Sequence, residues 1–96
     1  MEANLDIGKM QDELAAARRV ARAFAGVVRK HFGSRVGRIR LYGSAARGDW
    51  SEESDIDVLV TLDAVSIQDG EWLSARAYRM GVLDTGLLLQ PLFMAE

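Results

Sequence analysis

Hydrophobic positions recur with a helical period through the first third of the chain. Met10, Leu14, Ala17, Ala21, Phe24 and Val28 follow one another at alternating steps of four and three, which aligns them as one stripe on an α-helix. Gln11, Asp12, Arg18, Arg19, Arg22 and Arg29 fall largely off that stripe, and the abundance of alanine supports the same reading. The pattern predicts a helix from about Gly8 to Phe32, with no clear pattern in residues 1–7. Gly33-Ser34 is the expected stop, and Lys30 and His31 stand where the negative end of the helix dipole favours them. His31 therefore reads as a helix-end residue, not as a base or a ligand.

The period then changes. Val36, Ile39, Leu41 and Tyr42 are β-compatible, and Arg38 and Arg40 alternate with apolar neighbours, so Ser34 to Tyr42 reads as a strand. Asp49 to Ser54 is polar and reads as a loop. Asp55 to Leu62 is a second strand, nearly all apolar after its acids, as a central strand would be. The connection between the two permits antiparallel pairing but is too long for a tight hairpin. Ser66 to about Met80 predicts a second long helix. Ser66 and Asp69 resemble a capping box, Ile67, Trp72, Leu73, Ala77 and Met80 form the buried side, and Gly81 is the terminator. Leu87 to Met94 is a third strand, and Pro91, which lacks a donor, argues for an edge position or a bulge. The order helix, strand, strand, helix, strand predicts an α+β (mixed α/β) fold: a small mixed sheet of about three strands, with two long helices packed against one side. With no repeat, linker or low-complexity segment, residues 1–96 read as a single domain.

Composition excludes more than it specifies. A chain of 96 residues can bury a modest core, and its 49% hydrophobic and 27% charged fractions are ordinary for a globular protein. A net charge of −2 gives no overall pull toward nucleic acid or membrane. Without cysteine there is no disulfide framework, thiolate nucleophile or cysteine-ligated zinc. The polar, acidic N-terminus lacks a signal-peptide core, and no apolar run approaches the ~20 residues of a membrane span. Cytoplasmic residence is the expectation.

The candidate chemistry lies around the turn between the first two strands. Leu41-Tyr42-Gly43-Ser44-Ala45-Ala46-Arg47-Gly48-Asp49 is followed by Glu53-Ser54-Asp55-Ile56-Asp57-Val58-Leu59-Val60. Asp55 and Asp57 are two apart, so on a strand they point to one face with Cα atoms ~7 Å apart. Their mutual repulsion is relieved either by water at the strand end or by a bridging divalent cation, and oxygen ligands of this kind suit magnesium. The bland alternative makes Asp57 a partner of Arg40 or Arg47. Gly43 lets the backbone turn and approach a phosphate closely. The amides after it, with the Ser44 hydroxyl, form a nest or helix N-terminus suited to an anion. Arg47 adds either charge against phosphate or a structural ion pair. Asp49, Glu52 and Glu53 read as a solvated loop. Trp50, large for a loop, is placed to cover the site edge, and Tyr42 reads as core or loop packing.

Gly-Ser, Arg-Gly and Ser-Asp-x-Asp at this spacing, between two apolar strands, closely resemble the signature of the minimal nucleotidyltransferase (MNT) domains of the DNA polymerase beta and kanamycin nucleotidyltransferase superfamily. The resemblance runs from about Ile39 to Leu62 and more loosely to the end of the chain. It implies the nucleotidyltransferase fold and an in-line attack by a hydroxyl on the α-phosphate of a nucleoside triphosphate. It also implies Mg2+ held by Asp55 and Asp57, in a site that can take two ions, and terminal phosphates on Gly43 and Ser44. Arg47 and Gly48 match the family's Arg-Gly pair. Such domains often pair with a HEPN-domain toxin, where the transferase acts as antitoxin and can adenylylate a toxin tyrosine.

One departure stands out. Active superfamily members commonly place a third acid on a later strand, where it completes the metal site and can deprotonate the attacking hydroxyl. Here Leu87 to Met94 contains no Asp or Glu. Gln90 is the polar side chain in its interior, on the face it shares with Leu88 and Leu92, and an amide neither carries charge nor works as a base. Asp84 precedes the strand and reads as a turn residue. The chain stops directly after this strand, where relatives usually continue with a helical segment, which leaves a bare edge and predicts a homo- or hetero-oligomer. The leading expectation is transfer of AMP from ATP to a protein hydroxyl. The competing one is a catalytically degenerate module that binds nucleotide or partner and neutralises the partner by contact.

Overall fold

The computed structural model describes the backbone of residues 3–51 and 53–96, and the side chains from Gln11 onward except Glu52. Helix α1 spans Ala3–Phe32, strand β1 Val36–Tyr42, the single-turn helix α2 Gly43–Arg47, and strand β2 Ile56–Leu62. Helix α3 runs over Ile67–Tyr78 and continues through a π-helical turn, Arg79–Leu83, before strand β3, Leu89–Ala95. Met10 and Glu52, each given a place by the sequence, lie outside the described side chains.

Helix α1 buries the predicted stripe. Ala17, Ala21, Phe24 and Val28 are buried, joined by Phe32, with Leu14 packed at the margin. It begins at least five residues earlier than the periodicity indicated, because its N-terminal turns have no need of an apolar stripe to stay helical once the rest is anchored. Gly33, at φ +58°, ends it. A short 3-10 turn over Gly33–Arg35 takes the place of the predicted first residues of β1.

The sheet has the order β1-β2-β3, with β1 antiparallel and β3 parallel to the central β2. A parallel neighbour needs a long crossover, and α3 supplies it. Ile56, Val58, Val60 and Leu62 of β2 are fully or almost fully buried, each contributing about 1.5–3 kcal/mol by leaving water. Their partners on the same face are Leu41, Ile39 and Val36 from β1 and Leu89, Pro91, Phe93 and Ala95 from β3. Both long helices pack on this face. The opposite face carries Arg38, Arg40 and Tyr42, then Asp57, Leu59 and Thr61, then Gln90, Leu92 and Met94. Among the described residues no helix covers it. Pro91 sits on an edge strand, as its missing donor requires.

Several expectations are corrected. Ile67 is 82% exposed, while Leu73 and Ala77 are buried and Trp72 and Met80 partly so. The rotation of α3 is set by Asp69, which lies about 200° around the helix from Ile67 and turns inward to Arg35. Ser66 and Asp69 do form the capping box. Arg35 donates to Asp63 Oδ1 at 3.0 Å, to Asp69 Oδ2 at 2.7 Å and to the Ala64 carbonyl at 3.0 Å. These bonds join the start of β1 to the end of β2 and the first turn of α3. Hydrogen bonds from Arg35 hold both carboxyls below the ordinary carboxylate range, Asp69 furthest, and the same bonds raise the Arg35 guanidinium above its own.

Gly81 does not end the helix. It is buried, and a Cβ there would lie 2.6 Å from the Leu87 carbonyl oxygen and 2.8 Å from Leu89 Cβ. The glycine therefore lets the π turn press against the start of β3. The helix closes at Gly86, φ +75°, whose amide bonds the Val82 carbonyl. Trp50 covers no site edge: it is 2% exposed and belongs to the core beside α1. Among the described residues no helix is long and apolar enough to cross a membrane.

Candidate active site

The antiparallel and parallel pairings of β2 gather the candidate residues at one end of the sheet. Tyr42, the last residue of β1, is the register partner of Asp57. Gln90 is the register partner of Asp57 on the other side. All three lie on the face without helices. Tyr42 is half exposed, so of its reading as core or loop packing the core alternative does not hold: only alternate positions of β1 face the helices, and Leu41 takes that side. Asp55, the predicted first residue of the second strand, lies just outside β2, which starts one residue later at Ile56, and is exposed.

Gly43 and Asp57 are in direct contact. Gly43 has φ +69°, a conformation L side chains rarely adopt. A Cβ built on it would lie 2.5 Å from Asp57 Oδ2. The space a side chain would fill is thus occupied by the carboxylate. Asp57 is half-buried and makes no hydrogen bond or ion pair among the described residues. The bland alternative for it is not what the fold displays. Arg47 approaches Asp49 at 3.5 Å, with both side chains about two-thirds exposed, and Arg40 bonds the Ile39 carbonyl.

Helix α2 begins with Gly43 and Ser44. The Ser44 carbonyl accepts from the amides of Gly48 at 2.9 Å and Asp49 at 3.1 Å, and Gly48 closes the turn at φ +96°. The Ser44 hydroxyl has no partner among the described residues. Arg18, which the sequence placed off the buried stripe of α1, donates from Nε to the Ala45 carbonyl at 3.0 Å and from Nη2 to the Ala46 carbonyl at 3.4 Å. No local motif marks it, since the partner is 27 residues away.

The donor set suits a hard divalent cation. Asp57 offers an uncommitted carboxylate beside a backbone turn that has room for nothing bulkier than glycine, and Asp55 is open two residues before it. No group of three or more His, Cys, Asp or Glu side chains among the described residues forms a metal cage. Magnesium does not need one: it is commonly held by one or two carboxylates with substrate phosphates and water. Asp84 lies exposed at the end of α3, and the side chain beside Asp57 on β3 is the amide of Gln90.

A mixed sheet with helices on one face and this glycine–carboxylate contact on the other is the arrangement of a nucleotidyltransferase fold. A family model described as a nucleotidyltransferase domain matches residues 21–84, and the chain belongs to that family. The matched span contains Gly43, Ser44, Arg47, Asp55 and Asp57 but ends before β3. A Methanocaldococcus jannaschii protein named "Putative protein adenylyltransferase" is 45% identical over 40 residues. That stretch is 42% of this chain, and the chain spans about two fifths (40%) of the length of this curated relative. No solved structure matches.

Proposed function

We propose that this chain is a magnesium-dependent nucleotidyltransferase that moves AMP from ATP to a protein hydroxyl. The observation carrying this reading is the half-buried Asp57 carboxylate, without a partner among the described residues, set against Gly43 in a chain of the nucleotidyltransferase family. Asp55 and Asp57 would hold the divalent ion, which when bound neutralises phosphate charge and polarises the α-phosphate. Gly43 and Ser44 receive the terminal phosphates through the backbone amide and the Ser44 hydroxyl, and Arg47 adds positive charge one turn on. The acceptor oxygen bonds to the α-phosphorus, the bond to the bridging oxygen breaks, and pyrophosphate leaves. The hydroxyl proton passes to water, because the Gln90 amide can orient a hydroxyl but takes no proton. The name of the archaeal relative favours a protein acceptor. The resemblance to MNT domains favours a HEPN-type toxin as that acceptor, with this chain as antitoxin in a single-domain, cytoplasmic pair.

A second reading rests on Gln90 standing where a third acid would complete the site. In it the chain binds nucleotide or partner without turnover and neutralises the toxin by contact. The deciding experiment is intact-mass measurement of a co-expressed HEPN partner incubated with ATP and magnesium. A gain of one AMP that Asp57→Asn abolishes supports transfer. An unmodified partner in a stable complex supports the contact reading.

A further inference from the structure

We infer that Arg18 is a positioning residue for the phosphate-binding turn, setting the Gly43-Ser44 backbone from behind while Asp57 abuts it from the front. The inference rests on the reading of that turn given above and extends it to a residue outside the motif.

Helix α2 is one turn long, too short to be stable on its own. Its last carbonyls have no partner within the helix. Ser44 O is taken by the Gly48 and Asp49 amides. The next two carbonyls, of Ala45 and Ala46, are both taken by the Arg18 guanidinium. A positive fork at the carbonyl end of a helical turn is favourable in both geometry and charge. Arg18 itself projects from the part of α1 whose Ala17 and Ala21 are locked in the core, so the anchor is fixed to the rigid body of the fold. Ala45, fully buried, is the only apolar plug that α2 sets into the core. One buried methyl does not fix the rotation of a helical turn, whereas a two-pronged bond to consecutive carbonyls does. Rotation matters because Gly43 already touches Asp57, so a tilt of α2 shifts the amides and the Ser44 hydroxyl relative to the acids.

Arg22 provides the comparison. It lines the same groove between α1 and β1 and makes no hydrogen bond or ion pair among the described residues. It carries the same charge close by without the anchor.

The test uses Arg18→Gln, Arg18→Lys and Arg22→Gln in the full chain. Two readouts are taken: amide hydrogen exchange at Gly48 and Asp49 without nucleotide, and magnesium-ATP affinity by calorimetry. Losing charge-assisted bonds of this type corresponds to about a tenfold effect or more. We expect Arg18→Gln to speed exchange and weaken magnesium-ATP binding by about that factor, Arg18→Lys to recover part of both by reaching one carbonyl, and Arg22→Gln to change neither. Unchanged exchange in Arg18→Gln overturns the inference. So does an equal loss of affinity in Arg22→Gln, which would assign the effect to charge alone. Exchange is measured without ligand, so a wild-type chain that binds no nucleotide would refute the proposed function while the exchange data still decide whether Arg18 fixes the turn.

Discussion

Gln90 lies directly opposite Asp57 in the parallel pair of β2 and β3, on the sheet face that no described helix covers. The proposed metal-binding carboxylate is therefore flanked on that face by a phenol from β1, Tyr42, and an amide from β3, Gln90, and by no second acid. General-base loss costs about 10²–10⁴ in rate, so adenylyl transfer is expected to be slow but measurable by mass shift. Gln90→Glu and Gln90→Asp should raise the rate. A wild-type rate typical of fast transferases, left unchanged by both substitutions, would show that another group serves as base, with Asp84 the first to test.

Binding of ATP should require a divalent ion, because phosphate and carboxylate repel. Calorimetry with and without magnesium measures this. Asp55→Asn with Asp57→Asn should abolish magnesium-ATP binding. The melting temperature should hold or rise, since neither acid is paired among the described residues and their repulsion disappears. Equal ATP affinity with and without magnesium would remove the metal site from the account.

Gly43→Ala should damage both stability and binding. The new Cβ meets a left-handed backbone and the Asp57 carboxylate together. The backbone term alone costs about 1–2 kcal/mol. Gly48→Ala shares the positive φ but adds its methyl to open space, so it should lose stability with a smaller loss of affinity. Comparable affinity losses in the two variants would mean that the Gly43–Asp57 contact has no bearing on the site.

Acid should loosen the end of the sheet that Arg35 holds. Hydrogen bonds from Arg35 hold the Asp69 and Asp63 carboxyls below their ordinary range in the folded chain. Their contribution is fully present above the unfolded carboxylate value of about 4 and is lost as pH falls below it through the depressed folded values. The melting-temperature difference between wild type and Arg35→Gln should therefore shrink from pH 6 toward pH 3. A difference that stays constant over that range would show that Arg35 acts by packing on Phe32 rather than through the carboxyls.

Trp50→Ala should cost about 3–5 kcal/mol by leaving a cavity in the core, read as a large drop in melting temperature. Trp50→Phe should cost much less, because the indole Nε1 is buried without a partner among the described residues and its loss breaks no hydrogen bond there. If Trp50→Ala folds normally and loses only nucleotide affinity, the residue belongs to the site after all.

The sequence by itself determined the elements and the motif. The stripe from Leu14 to Val28, the alternation of β1, the apolar run of β2 and the capping box at Ser66 are local patterns, and each is found where its period or spacing put it. Gly43, Ser44, Asp55 and Asp57, the residues of the proposed site, stand out in the sequence for the same reason: they are close together and their spacing is a local pattern. Tertiary structure decided what depends on distant partners. Trp50 reads as a loop residue until α1 is seen packed beside it, and Gly81 reads as a terminator until Leu87 and Leu89 occupy the space of its missing side chain. Ile67 points to solvent because Arg35, 32 residues earlier in the chain, draws Asp69 inward. Tyr42 faces the open side because the core needs only alternate residues of β1. Arg18 was invisible as anything but a surface arginine, since the carbonyls it binds belong to a turn brought to it only by folding.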